Sequence, residues 1–225
     1  DLFWEKYDDK TNFLGNYKLV RPDFSTSIRH STKFDDNNNR FFYQYKIALE
    51  IQNMINHIKN NNNIINKHWS ASLVDLGEGV AGIELHSVLK PELNPIDGSL
   101  TQMLAYGLQW VEDNNYKGLV ISGDGNNFCA GANLNLILEA AEQKNFAAIE
   151  KLTNSLQQVF QAMKYSTFPV IAAPYGLVLG GGMEIIGGCN KRVCAAESYI
   201  GLVEVGVGLI PGAGGNLRLL SNLSK

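Results

Sequence analysis

The sequence predicts an α/β protein in which short buried strands alternate with amphipathic helices. Two observations carry that expectation. Beyond about residue 70, apolar runs such as GLVISG (118–123) and PVIAAP (169–174) have the length and composition of buried strands. Between them, apolar residues recur three and four apart over segments too long for strands. Strands alternating with helices imply a layered sheet with ligands outside the carboxyl ends of its strands.

Bulk composition narrows the function classes. The chain has 225 residues, 45% of them hydrophobic and 10% aromatic, which suits a protein with a sizeable core. A net charge of −3 without a basic block argues against a nucleic-acid surface. Cys129, Cys189 and Cys194 lack CxxC spacing, so no disulfide framework is expected and a reducing, cytoplasmic setting is. No charged n-region with an apolar core opens the sequence, so no signal peptide is expected. The apolar stretch 169–189 is long enough to span a bilayer, but its prolines and glycines divide it into strand, loop and helix start.

Composition shifts near residue 68. Before it, DDNNNR and KNNNNIINKH are Asn-rich, and one helix is expected where Ile47, Ile51, Met54, Ile55 and Ile58 share a face. Residues 1–68 read as a connector or the tail of a preceding domain, and 69–225 as the main domain. From 71, SLVDLGEGVAGIEL places two apolar runs around Gly77-Glu78-Gly79, a hairpin signal. Leu100, Met103, Leu104, Leu108 and Val111 form one helical stripe, with Asp97 or Ser99 able to cap it. The strand 118–123 precedes the loop DGNNFCAGANL, and a helix is expected from about 133. Ile149, Leu152, Leu156, Val159, Phe160 and Met163 form another stripe. The strand 169–174, a glycine loop, a helix from EIIGGC and a short strand RVCAA (192–196) follow.

Several chemistries fail on spacing. A dinucleotide fingerprint needs a third glycine where Ile185 and Phe128 stand. No P-loop, no GxSxG elbow and no HExxH is present, and His30, His57, His68 and His86 are scattered, so no metal is expected. Two loops of one type remain, CAGANL (129–134) and LGGGME (179–184). Each follows an apolar strand and opens a helix, where the first N–H groups lack internal partners. Small side chains let a substrate approach those amides, and two converging on one oxygen make an oxyanion hole. Close helix–strand packing explains the same glycines equally well.

The carboxylates shift that balance. Glu184 is flanked by Met183, Ile185 and Ile186, and Glu204 lies in the apolar, glycine-punctuated YIGLVEVGVGLIPGAGG. Burial raises a carboxyl pKa and suits it to proton transfer near neutral pH. Two such groups beside two candidate oxyanion loops fit proton addition or removal next to a carbonyl.

NFCAGANL, PVIAAPYGLVLGGGMEIIGG and GLVEVGVGLIPGAGGN, in that order and spacing, resemble the crotonase (enoyl-CoA hydratase/isomerase) superfamily over residues 70–225. The chain is most similar to the hydratase-like domain of bacterial multifunctional 3-hydroxyacyl-CoA dehydrogenases. The resemblance implies a crotonase-type ββα superhelix, truncated at the C-terminal end. It implies the backbone N–H groups of Ala132 and Gly181 as an oxyanion hole for an acyl-CoA thioester. Glu184 would act as base on a water, Glu204 would deliver a proton to the α-carbon, and Ala130 would meet the CoA adenine. The implied reaction is hydration of a trans-2-enoyl-CoA in fatty-acid β-oxidation. No cofactor is implied for this segment, NAD is implied for the dehydrogenase part, and a homo-oligomer for the full-length protein. An isomerase, an acyl-CoA hydrolase and a non-catalytic acyl-CoA-binding domain remain open on the same scaffold.

Three departures from the family pattern stand out. Val203 precedes Glu204 where many hydratases have Pro, and Asn133 stands where Asp is frequent. The chain ends soon after GAGGNLRLL, ahead of the helices that close the acyl pocket and build the trimer in the family.

Overall fold

Burial in the computed structural model follows the two periodicities of the sequence. It describes residues 63–196 and 198–223, so the helix expected over 47–58 lies outside the described residues. Strands β1 (Ile64–Lys67), β2 (Ala71–Gly77) and β3 (Val80–Leu85) form an antiparallel meander. The hairpin expected at Gly77-Glu78-Gly79 is present, and all three residues adopt positive φ there. Strand β1 joins this sheet ahead of the composition change near residue 68.

From β3 the sheet becomes parallel. Strands β4 (Gly118–Gly123), β5 (Val170–Ala172) and β7 (Lys191–Arg192) complete a six-stranded sheet in the order β1-β2-β3-β4-β5-β7. In place of the strand expected at 192–196 stands the two-residue Lys191–Arg192, which shares only Arg192 with it, and the one at 169–174 shrinks to Val170–Ala172. Pro169 and Pro174 flank the latter and cannot donate to a ladder.

Helix α1 (Gly98–Asp113) buries its whole expected stripe against β2 and β3. Asp97 is its N-cap, accepting from the Leu100 N–H at 2.8 Å. Helix α2 (Leu134–Glu142) buries no side chain, whereas α3 (Phe146–Lys164) buries Leu156, Val159, Phe160 and Met163. These join Leu73, Ile83, Leu85, Leu119, Ile121 and Phe128 in one core between sheet and helices.

A second, two-stranded sheet is absent from the sequence expectation. Strand β6 (Leu177–Leu179) pairs in parallel with β8 (Tyr199–Gly201), in register Leu177 with Tyr199 and Leu179 with Gly201. Helix α4 (Gly181–Gly188) starts directly after β6, so it begins at the glycines themselves and not at Glu184. A 3₁₀ turn (Glu204–Val207) follows β8, and α5 (Gly215–Leu223) follows a glycine-rich turn.

Candidate active site

The two Gly/Ala loops are drawn together by backbone pairing. Cys129 bridges Val178, its N–H donating to Leu177 O at 3.1 Å while Leu179 N–H donates to Cys129 O at 3.0 Å. On the other side Ile96 bridges Ala132, with Ile96 N–H donating to Gly131 O and Asn133 N–H to Ile96 O. The Ala132 and Gly181 amides therefore become neighbours. A Cβ built on Gly181 would sit 3.5 Å from Ala132 N, and one on Gly131 3.6 Å from Gly181 N. Among the described residues neither N–H donates a hydrogen bond. Gly181 is the first residue of α4, where such an orphan donor is expected.

Gly180 supplies the turn that makes this possible. Its φ of 52° and ψ of −119° lie in a region open essentially to glycine. Its N–H is fixed by Gly201 O at 2.8 Å, which ties the turn to the end of β8.

Both carboxylates reach this corner. Glu184 lies in the first turn of α4 and is 4% exposed. Its Oε1 accepts from the N–H groups of Ala213 and Gly215, each at 2.8 Å. Burial pushes its pKa up; the Gly215 and Ala213 N–H groups oppose that shift, the Glu204 charge adds to it, and the Arg218 charge opposes it. Glu204 opens the 3₁₀ turn, and its Oε1 lies 3.2 Å from where a Cβ on Gly180 would be. Its Oε2 is buried without a hydrogen-bond partner among the described residues. A buried, unspent acceptor next to a second carboxylate is a site for a proton or a water.

Ala130 is half-buried at the mouth of the first loop, with its N–H spent on Leu93 O at 2.8 Å. Asn133 turns out to be the N-cap of α2, accepting from Asn135 N–H at 3.2 Å. Sequence reasoning missed the holders of Glu184, namely Ala213, Gly215 and the residues bracing them. Their only signal was PGAGG (211–215), read within a motif but given no task. Among the described residues no His, Cys, Asp and Glu group could hold a metal, and no helix is long and apolar enough to cross a membrane.

Comparison with known proteins fits this geometry. The enoyl-CoA hydratase/isomerase family profile matches residues 75–225. The chain belongs to the enoyl-CoA hydratase/isomerase family. A probable 3-hydroxyacyl-CoA dehydrogenase of Bacillus subtilis is 42% identical over 83% of this chain, which spans 24% of that relative. The alpha subunit of the Aliivibrio fischeri fatty acid oxidation complex is 36% identical over 57% of the chain and 19% of its own length. The chain thus spans about a quarter or less of these curated relatives. Among solved family structures, an enoyl-CoA hydratase from Bacillus anthracis superposes with a TM-score of 0.58 at 30% identity, covering 68% of this chain and 57% of that one. One from Thermoplasma volcanium gives 0.61 at 27%, covering 68% and 59%. The crotonase-type fold expected from the motifs is shared with these structures.

Proposed function

We propose that this domain adds water reversibly across the double bond of a trans-2-enoyl-CoA. The observation that carries the reading is the meeting of two carboxylates from different elements beside two unspent amides. The thioester oxygen accepts from the Ala132 and Gly181 N–H groups, which hold the negative charge of the enolate as it develops. Glu184, ionised, takes a proton from a water while that oxygen bonds to the β-carbon. Glu204, in its acid form, delivers a proton to the α-carbon from the same face. Proton exchange between the two carboxyls through a new water restores the starting state. The raised pKa of Glu184 brings its basicity closer to neutral pH. Ala130 lies on the same loop as Ala132 and is assigned to the CoA adenine.

The match to a 3-hydroxyacyl-CoA dehydrogenase supports a larger polypeptide that oxidises the hydroxyl product with NAD, the residues ahead of β1 forming the connector. A homo-oligomer is part of the same reading.

The experiment follows loss of the conjugated enoyl-thioester absorbance with the complete polypeptide and its Glu204→Gln variant. A fall of about 100-fold or more is expected. A variant rate near wild type removes Glu204 as proton donor. Mass spectrometry of the products separates the routes: hydration adds one water, isomerisation adds nothing, and hydrolysis frees CoA.

A further inference from the structure

Arg218 is the basic side chain of α5, and it folds back against the start of its own helix. Its Nη1 donates to the Ala213 carbonyl at 2.7 Å. The N–H of that same Ala213 donates to Glu184 Oε1. The guanidinium thus grips one side of a residue whose amide aims the carboxylate on the other. The turn around it is crowded by this arrangement: a Cβ on Gly214 would lie 2.6 Å from Arg218 Nη1, and one on Gly215 3.1 Å from Glu184 Oε1. One turn along α4 from Glu184, a Cβ on Gly187 would lie 3.3 Å from Arg218 Cδ.

The brace is anchored in the core through α3. The Arg218 Cζ stands 5.9 Å from the centroid of the buried Phe160 ring, within cation–π range. Three residues earlier on α3, Gln157 Nε2 donates to Gly212 O at 2.6 Å, pinning the other end of the turn. An arginine that served only its own helix would have no cause to share Ala213, one of the two residues whose N–H groups orient Glu184.

We propose that Arg218 is a positioning residue for Glu184: it fixes the 211–215 turn whose N–H groups aim that carboxylate, and brings a guanidinium charge to the carboxylate's flank. The proposal rests on Glu184 being the base of the hydration reading. The groups facing Glu184 are the Ala213 and Gly215 amides, Glu204 from the 3₁₀ turn and Arg218 from α5. Burial and Glu204 favour the protonated carboxyl, while Arg218 and the two amides favour the anion. Removing the cation therefore leaves less of the base form at a given pH.

The test compares Arg218→Met and Arg218→Lys in the complete polypeptide. Arg218→Met is expected to lower kcat about tenfold, to leave KM for the enoyl-CoA within about twofold, and to move the acid limb of the kcat profile upward. Arg218→Lys keeps the charge but offers no planar fork, so the limb returns while kcat recovers only in part. A readout free of turnover is the carboxyl ¹³C titration of glutamate-labelled protein, with the Glu184 resonance assigned by its loss in Glu184→Gln. Its midpoint is expected to rise in Arg218→Met and to return in Arg218→Lys. An unmoved midpoint and acid limb in folded Arg218→Met overturns the proposal, as does a kcat loss that only tracks a fall in Tm. Should Arg218→Met fail to fold, Arg218→Gln takes its place with the same expectations. A wild-type polypeptide that does not hydrate enoyl-CoA overturns the functional reading, and the carboxyl titration still decides the role of Arg218.

Discussion

Gly180 and Glu204 are in contact across the gap between two strands: a Cβ on Gly180 would stand 3.2 Å from Glu204 Oε1. The glycine is thus required twice, by its backbone angles and by the carboxylate above it. Gly180→Ala is expected to cost about 1–3 kcal/mol through strain alone. It is also expected to lower kcat/KM about 100-fold, because the displaced carboxylate loses its aim. Denaturant unfolding and steady-state kinetics on one preparation check both.

Gly182, two residues on, serves a different purpose. A Cβ there would meet Cys129 O at 2.2 Å, a backbone atom that cannot swing away. Gly182→Ala is expected to destabilise by about 1–3 kcal/mol or more as an overpacked core position. If its residual folded fraction keeps near-normal kcat, packing and catalytic glycines are separated within one GGG run.

Glu184 carries a stability cost of ionisation. Because burial raises its pKa, the folded state holds the proton more tightly than the unfolded chain does. Its contribution to stability therefore falls as pH rises from the ordinary carboxylate range through the raised midpoint. Glu184→Gln keeps an oxygen for the Ala213 and Gly215 N–H groups and removes the charge. The variant is expected to be inactive and more stable than wild type near pH 8, the gap closing on acidification. Tm measured across roughly pH 5 to 8 checks the sign.

Asn133 departs from the residue frequent in the family without losing its task, because its side chain caps α2. Asn133→Asp is expected to preserve stability and activity, since either side chain accepts at an N-cap. Asn133→Ala is expected to cost about 1 kcal/mol. Thermal unfolding of the two variants distinguishes capping from a direct role in chemistry.

Helices α1 and α3 were legible because their stripes recur over many turns, and Met103, Leu104, Phe160 and Met163 are indeed fully buried. Strand β6 was not, because Leu177–Leu179 is three residues long between glycines and owes its conformation to Tyr199–Gly201, more than twenty residues later. The same distance hid the start of α4. Gly181 and Gly182 are poor helix formers, and the helix begins there because Gly180 turns out of a strand that local sequence does not announce. In the site, composition drew attention to the carboxylates and to the two Gly/Ala loops, while the Ala132 and Gly181 amides within those loops came only from the family resemblance. The Ala213 and Gly215 donors were not, since a backbone N–H has no signature in side-chain chemistry. Arg218 was passed over because an arginine in NLRLL reads as the solvated face of a helix.

The β6–β8 pairing works as a ruler. Because the two strands run parallel, the same end of it carries Gly180 with the opening amide of α4 and, three residues beyond Gly201, Glu204. Only three rungs set that alignment, from Leu177 with Tyr199 to Leu179 with Gly201. A slip of one rung would carry Glu204 about 3.3 Å along the strand, a full hydrogen-bond length from its station over Gly180. Insertions between residues 193 and 198, beyond α4 and β7, that leave those rungs intact can lengthen the intervening chain without touching the chemistry. A single-residue deletion inside β8, whose Tyr199 and Ile200 are exposed, would dismantle the site while leaving the large sheet and its core in place.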